Sequence, residues 1–316
     1  MNSSTPRGFA LVVVVATAAA LSGCRAYDPA ANTPVGPPQN ALQDHPQTRP
    51  ALLYVSDDEK DDVLVYSYPS LKVVRTLPNI KSPAGLCVDP KDGSIWVTVS
   101  SDFVSQIVEF SHGGTKPIRT LQDSRGEDIV GCAVSPTSGD VAVSNATFGG
   151  DDPGDVVVYN LHTGKSKTYH DKQMLYFGSL GYDTGGNLFV DGRPSSYNST
   201  FRLDELPDGG NKLVNIRWRG PTIRDPGNVQ YDGTSVTVGD TDKALIYQIA
   251  GGKVVGTTVL AGACYVDQYF IDGGSVVVPS NCYKTGTVSL YRYPAGGAPI
   301  ATIGGFGIPV GAVISR

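Results

Sequence analysis

From residue 51 onward the chain is a succession of short runs in which apolar and polar side chains alternate, separated by Gly, Pro, Asp and Asn. A period of two sends successive side chains to opposite faces of an extended strand, so each run predicts a short β-strand. Two kinds of run recur. The first comprises VYSYPSLKVVRTL (65–77), EFSHGGTKPIRTL (109–121), VYNLHTGKSKTY (158–169), FRLDELPDGGNKLVNI (201–216), YQIAGGKVVGTTVL (247–260) and YRYPAGGAPIATI (291–303). Each reads as strand, tight turn and strand. The copies lie roughly 42 to 49 residues apart, which is the period of a propeller blade.

The second element lies between these hairpins: PAGLCVDPKDGSIWVT (83–98), IVGCAVSPTSGDVAVS (129–144), SLGYDTGGNLFVD (179–191), NVQYDGTSVTVGD (228–240) and QYFIDGGSVVVPS (268–280). In each, an apolar strand meets Asp89, Ser135, Asp183, Asp232 or Asp272, turns through Gly and returns as a Val-rich strand. Near-continuous apolar runs suit strands covered on both faces by neighbouring sheets. The two ends complete the count. ALLYVSD (51–57) is a returning strand with nothing before it, and PVGAVIS (309–315) is an outgoing strand with nothing after it. Pairing them makes a sixth sheet and removes an exposed edge. The expectation is an all-β, six-bladed β-propeller over residues 51–316, closed by its N- and C-terminal strands.

The pattern P-x-G-h-x-V-D-x-x-x-G-x-h-h-V followed by a hairpin resembles the NHL-repeat type of six-bladed propeller. Pro83, Gly85, Val88, Asp89, Gly93 and Val97 carry it fully; Pro226, Asp232 and Val238 carry it in part. The resemblance implies fold more than activity, since such propellers bind proteins, glycans or nucleic acids and a few are enzymes.

The N-terminus has a different pattern. Arg7 is the only charge before an apolar run from Phe9 to Leu21, which leads into Leu21-Ser22-Gly23-Cys24. A charged start, a short apolar core and small residues before a cysteine predict a lipoprotein signal over 1–23, with Cys24 as the lipidated first mature residue. Several acyl chains at about 0.8 kcal/mol per buried CH₂ make such an anchor effectively permanent. Residues 24–50 are proline-rich and poor in large apolar side chains, which predicts an extended tether. The expected location is the bacterial cell envelope, at the outer membrane or cell surface, since Arg25 rather than Asp follows the cysteine.

Formal charge is −5 and there is no basic block, which argues against nucleic acid as a partner. The turns PKDG, PTSG, TGGN, DG and DGG, and the hairpin turns, share one face of the predicted ring. The longer connections DDEKDD (57–62), QDSRGEDI (122–129), TFGGDDPG (147–154), DGRPSSYNST (191–200) and RGPTIRDP (219–226) share the other. Long loops on a rigid scaffold are where function concentrates. That face is expected to carry Asp57, Asp58, Asp128, Asp151, Asp152, Asp191, Asp240 and Asp267, with Asn145, Asn228 and Asn281 beside them and Tyr176, Phe177, Tyr197 and Tyr265 as aromatic surface. Asp128, Asn228 and Asp267 are the candidate ligand-binding residues at the channel mouth.

Other chemistry finds less support. DDEKDD lacks the alternating order of a calcium loop and reads as solvated. FGSLG (177–181) lacks the first glycine of a nucleophile elbow, so Ser179 reads as an inner-strand residue. GGFGIPVG (304–311) leads into a strand at Pro309, not a helix, and does not cradle phosphate. His112, His162 and His170 are far from the acids. Cys264 and Cys282 flank one blade on the long-loop face and predict a disulfide; Cys87 and Cys132 sit one position out of register on neighbouring inner strands and are expected as two buried thiols. The expected function is a non-enzymatic scaffold binding a protein or glycan, with no required cofactor. The alternative is a hydrolase resembling the gluconolactonase-type propellers, with Ca²⁺ or another divalent cation held by Asp128, Asn228 and Asp267.

Overall fold

A computed structural model describes residues 49–101, 104–123, 128–146, 153–194, 201–282 and 285–316. The signal, Cys24, most of the tether, Asp151, Asp152 and Tyr197 lie outside the described residues.

Six four-stranded antiparallel sheets form a six-bladed propeller, with no helix among the described residues. Blade 1 holds β1 (Leu52–Asp57), β2 (Asp62–Ser67) and β3 (Lys72–Pro78). Blade 2 follows with β4 (Pro83–Val88), β5 (Ile95–Ser101), β6 (Val104–Phe110) and β7 (Pro117–Gln122). Blade 3 has β8 (Asp128–Val134), β9 (Val141–Ala146), β10 (Asp155–Asn160) and β11 (Lys165–Tyr169). Blade 4 has β12 (Tyr176–Tyr182), β13 (Leu188–Arg193), β14 (Arg202–Leu206) and the short β15 (Val214–Ile216). Blade 5 has β16 (Pro226–Tyr231), β17 (Val236–Asp240), β18 (Leu245–Ala250) and β19 (Lys253–Val259). Blade 6 has β20 (Phe270–Asp272), β21 (Ser275–Cys282), β22 (Thr285–Arg292) and β23 (Ala301–Phe306). The last strand, β24 (Pro309–Ser315), becomes the innermost strand of blade 1. It pairs with β1 through Leu53↔Ile314, Tyr54↔Val313 and Val55↔Ala312.

The apolar runs are continuous because both faces of an inner strand are covered. Leu86, Ile95 and Val97 pack towards blade 1 with Tyr54, Val65 and Val313. Their immediate neighbours Cys87 and Trp96 pack towards blade 3 with Ile129, Cys132 and Val143. The outermost strands are mostly exposed, as β3 and β7 show. The recurrent Asp of the second element has a local task. The Oδ1 atoms of Asp89, Asp183 and Asp232 accept backbone N–H bonds from Lys91, Gly185 and Thr234, closing the short turns. Gly85 is required by convergence on the axis, since a Cβ there would lie 2.8 Å from the Val130 carbonyl oxygen.

Two disulfides brace the ring. Cys264 joins Cys282 within blade 6, with Cα atoms 5.3 Å apart. Cys87 joins Cys132 across blades 2 and 3, with Cα atoms 5.6 Å apart. The second bond corrects the expectation of two free thiols. Neighbouring blades pack face to face, so residues that meet across the gap must have opposite parity along their strands. Leu86 is the equivalent of Cys132 and faces blade 1; the one-residue offset is what turns Cys87 towards Cys132.

Candidate functional site

The inner strands are irregular close to their starts on the long-loop face. Ladder registers shift between Pro83 and Leu86, Ile129 and Gly131, Phe177 and Leu180, and Pro226 and Val229. Bulges bend a strand and release it from its partner. In blade 6 the innermost strand begins only at Phe270, which leaves residues 266–269 outside the ladder. The result is a widened channel mouth, a cavity of about 500 Å³ whose walls include Asp128, Tyr176, Arg193, Asp225, Asp267 and Gln268.

The pairings Leu86↔Val97, Cys132↔Val143, Leu180↔Val190, Val229↔Val238 and Ala312↔Val55 align the blades level by level. One residue before that level stand Gly311, Gly85 and Gly131 in blades 1 to 3. Ser179, Asn228 and Gln268 hold the same level in blades 4 to 6. Half of this ring lacks side chains, and the polar half fills the space. Gln268 Nε2 donates to the Leu86 carbonyl (2.7 Å) while Gln268 Oε1 accepts from the Leu86 N–H (3.1 Å). Its side chain thereby crosses from blade 6 to blade 2 over Gly311. Ser179 Oγ donates to Asn228 Oδ1 (2.8 Å), and Asn228 Nδ2 donates to the Tyr269 carbonyl (2.7 Å). These three residues form a floor. A smaller space of about 120 Å³ lies on the other side of it.

The three candidate residues therefore occupy three depths. Asp128 is on the exposed rim and accepts a hydrogen bond from Ser100 Oγ (2.9 Å). Asp267 lies one residue above the floor along the chain and is open to the cavity; its counterparts are Ala84, Val130, Gly178, Gly227 and Val310, so it is the one charged side chain at that level. Asn228 is buried in the floor, with both amide atoms engaged. Asp128, Asn228 and Asp267 thus stand at different levels of the mouth, and no group of three His, Cys, Asp or Glu side chains that could hold a metal ion occurs among the described residues.

Electrostatics distinguish the carboxyls of the mouth. Desolvation pushes Asp267 up to about 6, with repulsion from Asp225 adding to it, although water still reaches the side chain from the cavity. No hydrogen-bond or ion-pair partner among the described residues meets it. Asp225 is also raised by burial, opposed by Arg193 at 3.4 Å. The Arg193 guanidinium in turn stacks on Tyr176, 4.5 Å from the ring centroid. Beneath the wall, Asp191 is fully buried and raised well above the usual range by desolvation. One oxygen accepts the Ser179 N–H (2.7 Å) and the other has no partner among the described residues. Asp191 stands where blades 1 to 3 carry Ser56, Thr98 and Ser144, each of which donates its hydroxyl to an inner-strand carbonyl.

Several expected surface groups are internal braces. Asp57 is buried and its carboxylate accepts the N–H groups of Gly307 and Ile308 (both 2.9 Å), so DDEKDD is not wholly solvated. Asp240 is buried and paired with Lys243 (2.6 Å), and Asn145 is buried and donates to Asp155 (2.8 Å). Phe177 is buried in the core between blades 3 and 4 instead of on the surface. A strand-end acid is drawn inside wherever a loop needs its backbone N–H groups satisfied. Sequence reasoning passed over Arg193, Asp225 and Gln268. Asp225 stands in the repeat where Asp128 does, and Gln268 replaces the motif glycine; both departures were visible signals.

Asp267 gives a pH test. Its folded-state value is above the ordinary carboxylate range, so the folded form carries a penalty when both states are ionised, above about pH 6. The penalty disappears as pH falls towards the unfolded value near 4. Asp267→Asn is expected to raise the Tm at pH 7.5 and to leave it unchanged at pH 4.5. An equal gain at both pH values would contradict the desolvation argument.

No family model matches the sequence, and no curated protein matches it. Among solved structures, a chain from a nidogen/laminin complex is similar to this fold with a TM-score of 0.69 at 13% identity, covering 84% of this chain and 98% of that one. A protein of unknown function from Bacteroides caccae is similar with a TM-score of 0.63 at 14% identity, covering 84% of this chain and 99% of that one. Hydrazine synthase of Kuenenia stuttgartiensis gives a TM-score of 0.59 at 14% identity over 77% of this chain and 81% of that one. At such identities what is shared is the fold, a six-bladed β-propeller.

Proposed function

We propose that this protein is a binding propeller of the bacterial cell envelope, anchored through lipid on Cys24, whose long-loop face receives a protein or glycan partner at the channel mouth. The observation that carries the binding role is the cavity of about 500 Å³, closed below by Ser179, Asn228 and Gln268 and holding Asp267, which has no partner among the described residues. A concave site with a few placed polar groups on a rigid frame is the usual form of a ligand pocket. The similar chain solved within a nidogen/laminin complex supports a protein partner at the level of fold only. The anchor rests on the Leu21-Ser22-Gly23-Cys24 sequence.

The test is capture from solubilised envelopes with the tagged protein. Asp128→Ala with Asp267→Ala is expected to reduce partner recovery at least fivefold, while Asp92→Ala and His162→Ala on the opposite face leave it unchanged. Cys24→Ser is expected to move the protein from the membrane to the soluble fraction. Loss of the partner in the opposite-face variants alone would place binding on the wrong face, and a Cys24→Ser protein that stayed with the membrane would remove the anchor.

A further inference from the structure

The wall of the mouth already holds one guanidinium. Arg193 lies between the Asp225 carboxylate (3.4 Å) and the face of Tyr176 (4.5 Å), and it also donates to the Arg224 carbonyl (3.2 Å). Carboxylate on one side and aromatic face on the other is a favourable setting for a cation in a partly dry recess. Among the described residues lining the cavity, three carboxylates (Asp128, Asp225 and Asp267) face this single guanidinium. Arg193 is committed to Asp225. Asp267 has no such counterpart among the described residues; it stands nearest the floor along the chain, open to the cavity, and takes the place of an uncharged residue in every other blade.

Three carboxylates that share one recess with a single guanidinium repel one another at a cost in stability. A ligand cation would offset that cost on arrival. The floor limits how such a ligand enters. Gln268 bars the axis through its paired bonds to Leu86, and Asn228 with Ser179 closes the side beneath Asp267. A ligand therefore enters from the long-loop face and stops at the floor, which suits the end of one extended group better than a strand passing through.

We propose that the mouth cavity is a receptor for a cationic group, an ammonium or guanidinium presented end-on by the ligand and seated against Asp267 with Asp128 at the rim. This deepens the binding role proposed above and rests on it. The shared chemistry is a basic group, borne by a Lys or Arg side chain of a protein or by an amino sugar of a glycan.

The test uses small probes on the folded propeller, followed by amide chemical-shift changes at pH 7.5. The probes are acetyl-arginine methylamide, acetyl-lysine methylamide, glucosamine, and the neutral isostere acetyl-citrulline methylamide. At least one cationic probe is expected to saturate with a Kd below about 10 mM, shifting Gly178, Gly227 and Gln268. If acetyl-arginine methylamide binds, citrulline is expected to bind at least tenfold more weakly. Asp267→Asn is expected to weaken the cationic probe at least fivefold, and Asp92→Asn on the opposite face to change nothing. The probe that saturates identifies the source, a side chain or an amino sugar. The proposal is overturned if no cationic probe saturates, if citrulline equals arginine, or if Asp267→Asn keeps full affinity. The wild-type probe comparison decides the matter even if the variant does not fold. Partner capture that depends on the mouth, together with failure of every cationic probe, would sink this inference and leave the broader binding role standing.

Discussion

Removal of residues 309–316 is expected to abolish cooperative unfolding, an effect far beyond the loss of eight ordinary terminal residues. The missing strand is the innermost of blade 1, hydrogen-bonded to β1 from Leu52↔Ser315 to Val55↔Ala312. Ala312, Val313 and Ile314 are all buried, and the last two lie in different clusters on opposite faces of the strand. Burying a Val or Ile side chain is worth about 1.5–3 kcal/mol, and β1 would also lose its inner partner. The total is on the order of 5–10 kcal/mol, against a whole-domain stability of about 5–15 kcal/mol. Contacts at the rim go with it: Ser315 Oγ meets His112 Nδ1 (2.6 Å), and Arg316 pairs with Asp272 (2.7 Å). Differential scanning calorimetry of the truncated chain checks this, and a sharp transition within a few degrees of the full-length Tm would show that the ring does not depend on the closing strand.

The second large effect is expected at the bond between blades. Cys87 and Cys132 are separated by 45 residues, Cys264 and Cys282 by 18. On the loop-entropy account, crosslinks of these spans remove about 4 and about 3 kcal/mol of unfolded-state freedom. Replacing Cys87 and Cys132 together by Ala should lower the Tm by roughly 10 °C, since each kcal/mol is worth about 2–4 °C in a large domain. The Cys264/Cys282 double variant should lose less. Thermal melts of the two variants under identical oxidising conditions decide the order, and a larger loss for the shorter span would reject the loop-entropy ranking.

These two cases also separate what the pattern of residues carries from what assembly adds. Strand count, blade count and closure were legible because they depend on local periodicity. The alternation in VYSY and EFS, the Asp turns at Asp89 and Asp183, and the orphan strands ALLYVSD and PVGAVIS each state a local requirement that the structure meets. The division into a short-loop and a long-loop face follows from connection length once the strand order is known.

What a side chain meets across a blade gap was not legible in the same way. Cys87 and Cys132 read as mismatched along the chain, yet the parity that separates them in the repeat makes them face each other in the ring. Asp57, Asp191 and Asp240 read as surface acids because they end strands, but all three are buried: the Gly307 and Ile308 N–H groups of a returning loop meet Asp57, the Ser179 N–H of an inner strand meets Asp191, and Lys243 pairs with Asp240. Asp128, Asn228 and Asp267 read as one constellation, and the bulged starts of the inner strands spread them over rim, wall and floor. The sequence by itself determined the elements, their number and the closing of the ring, because periodicity and turn chemistry act within a few residues. Only the tertiary structure decided which polar groups face water and which face one another, because convergence of six inner strands on one axis sets distances between residues such as Gln268 and Leu86, which are 182 positions apart.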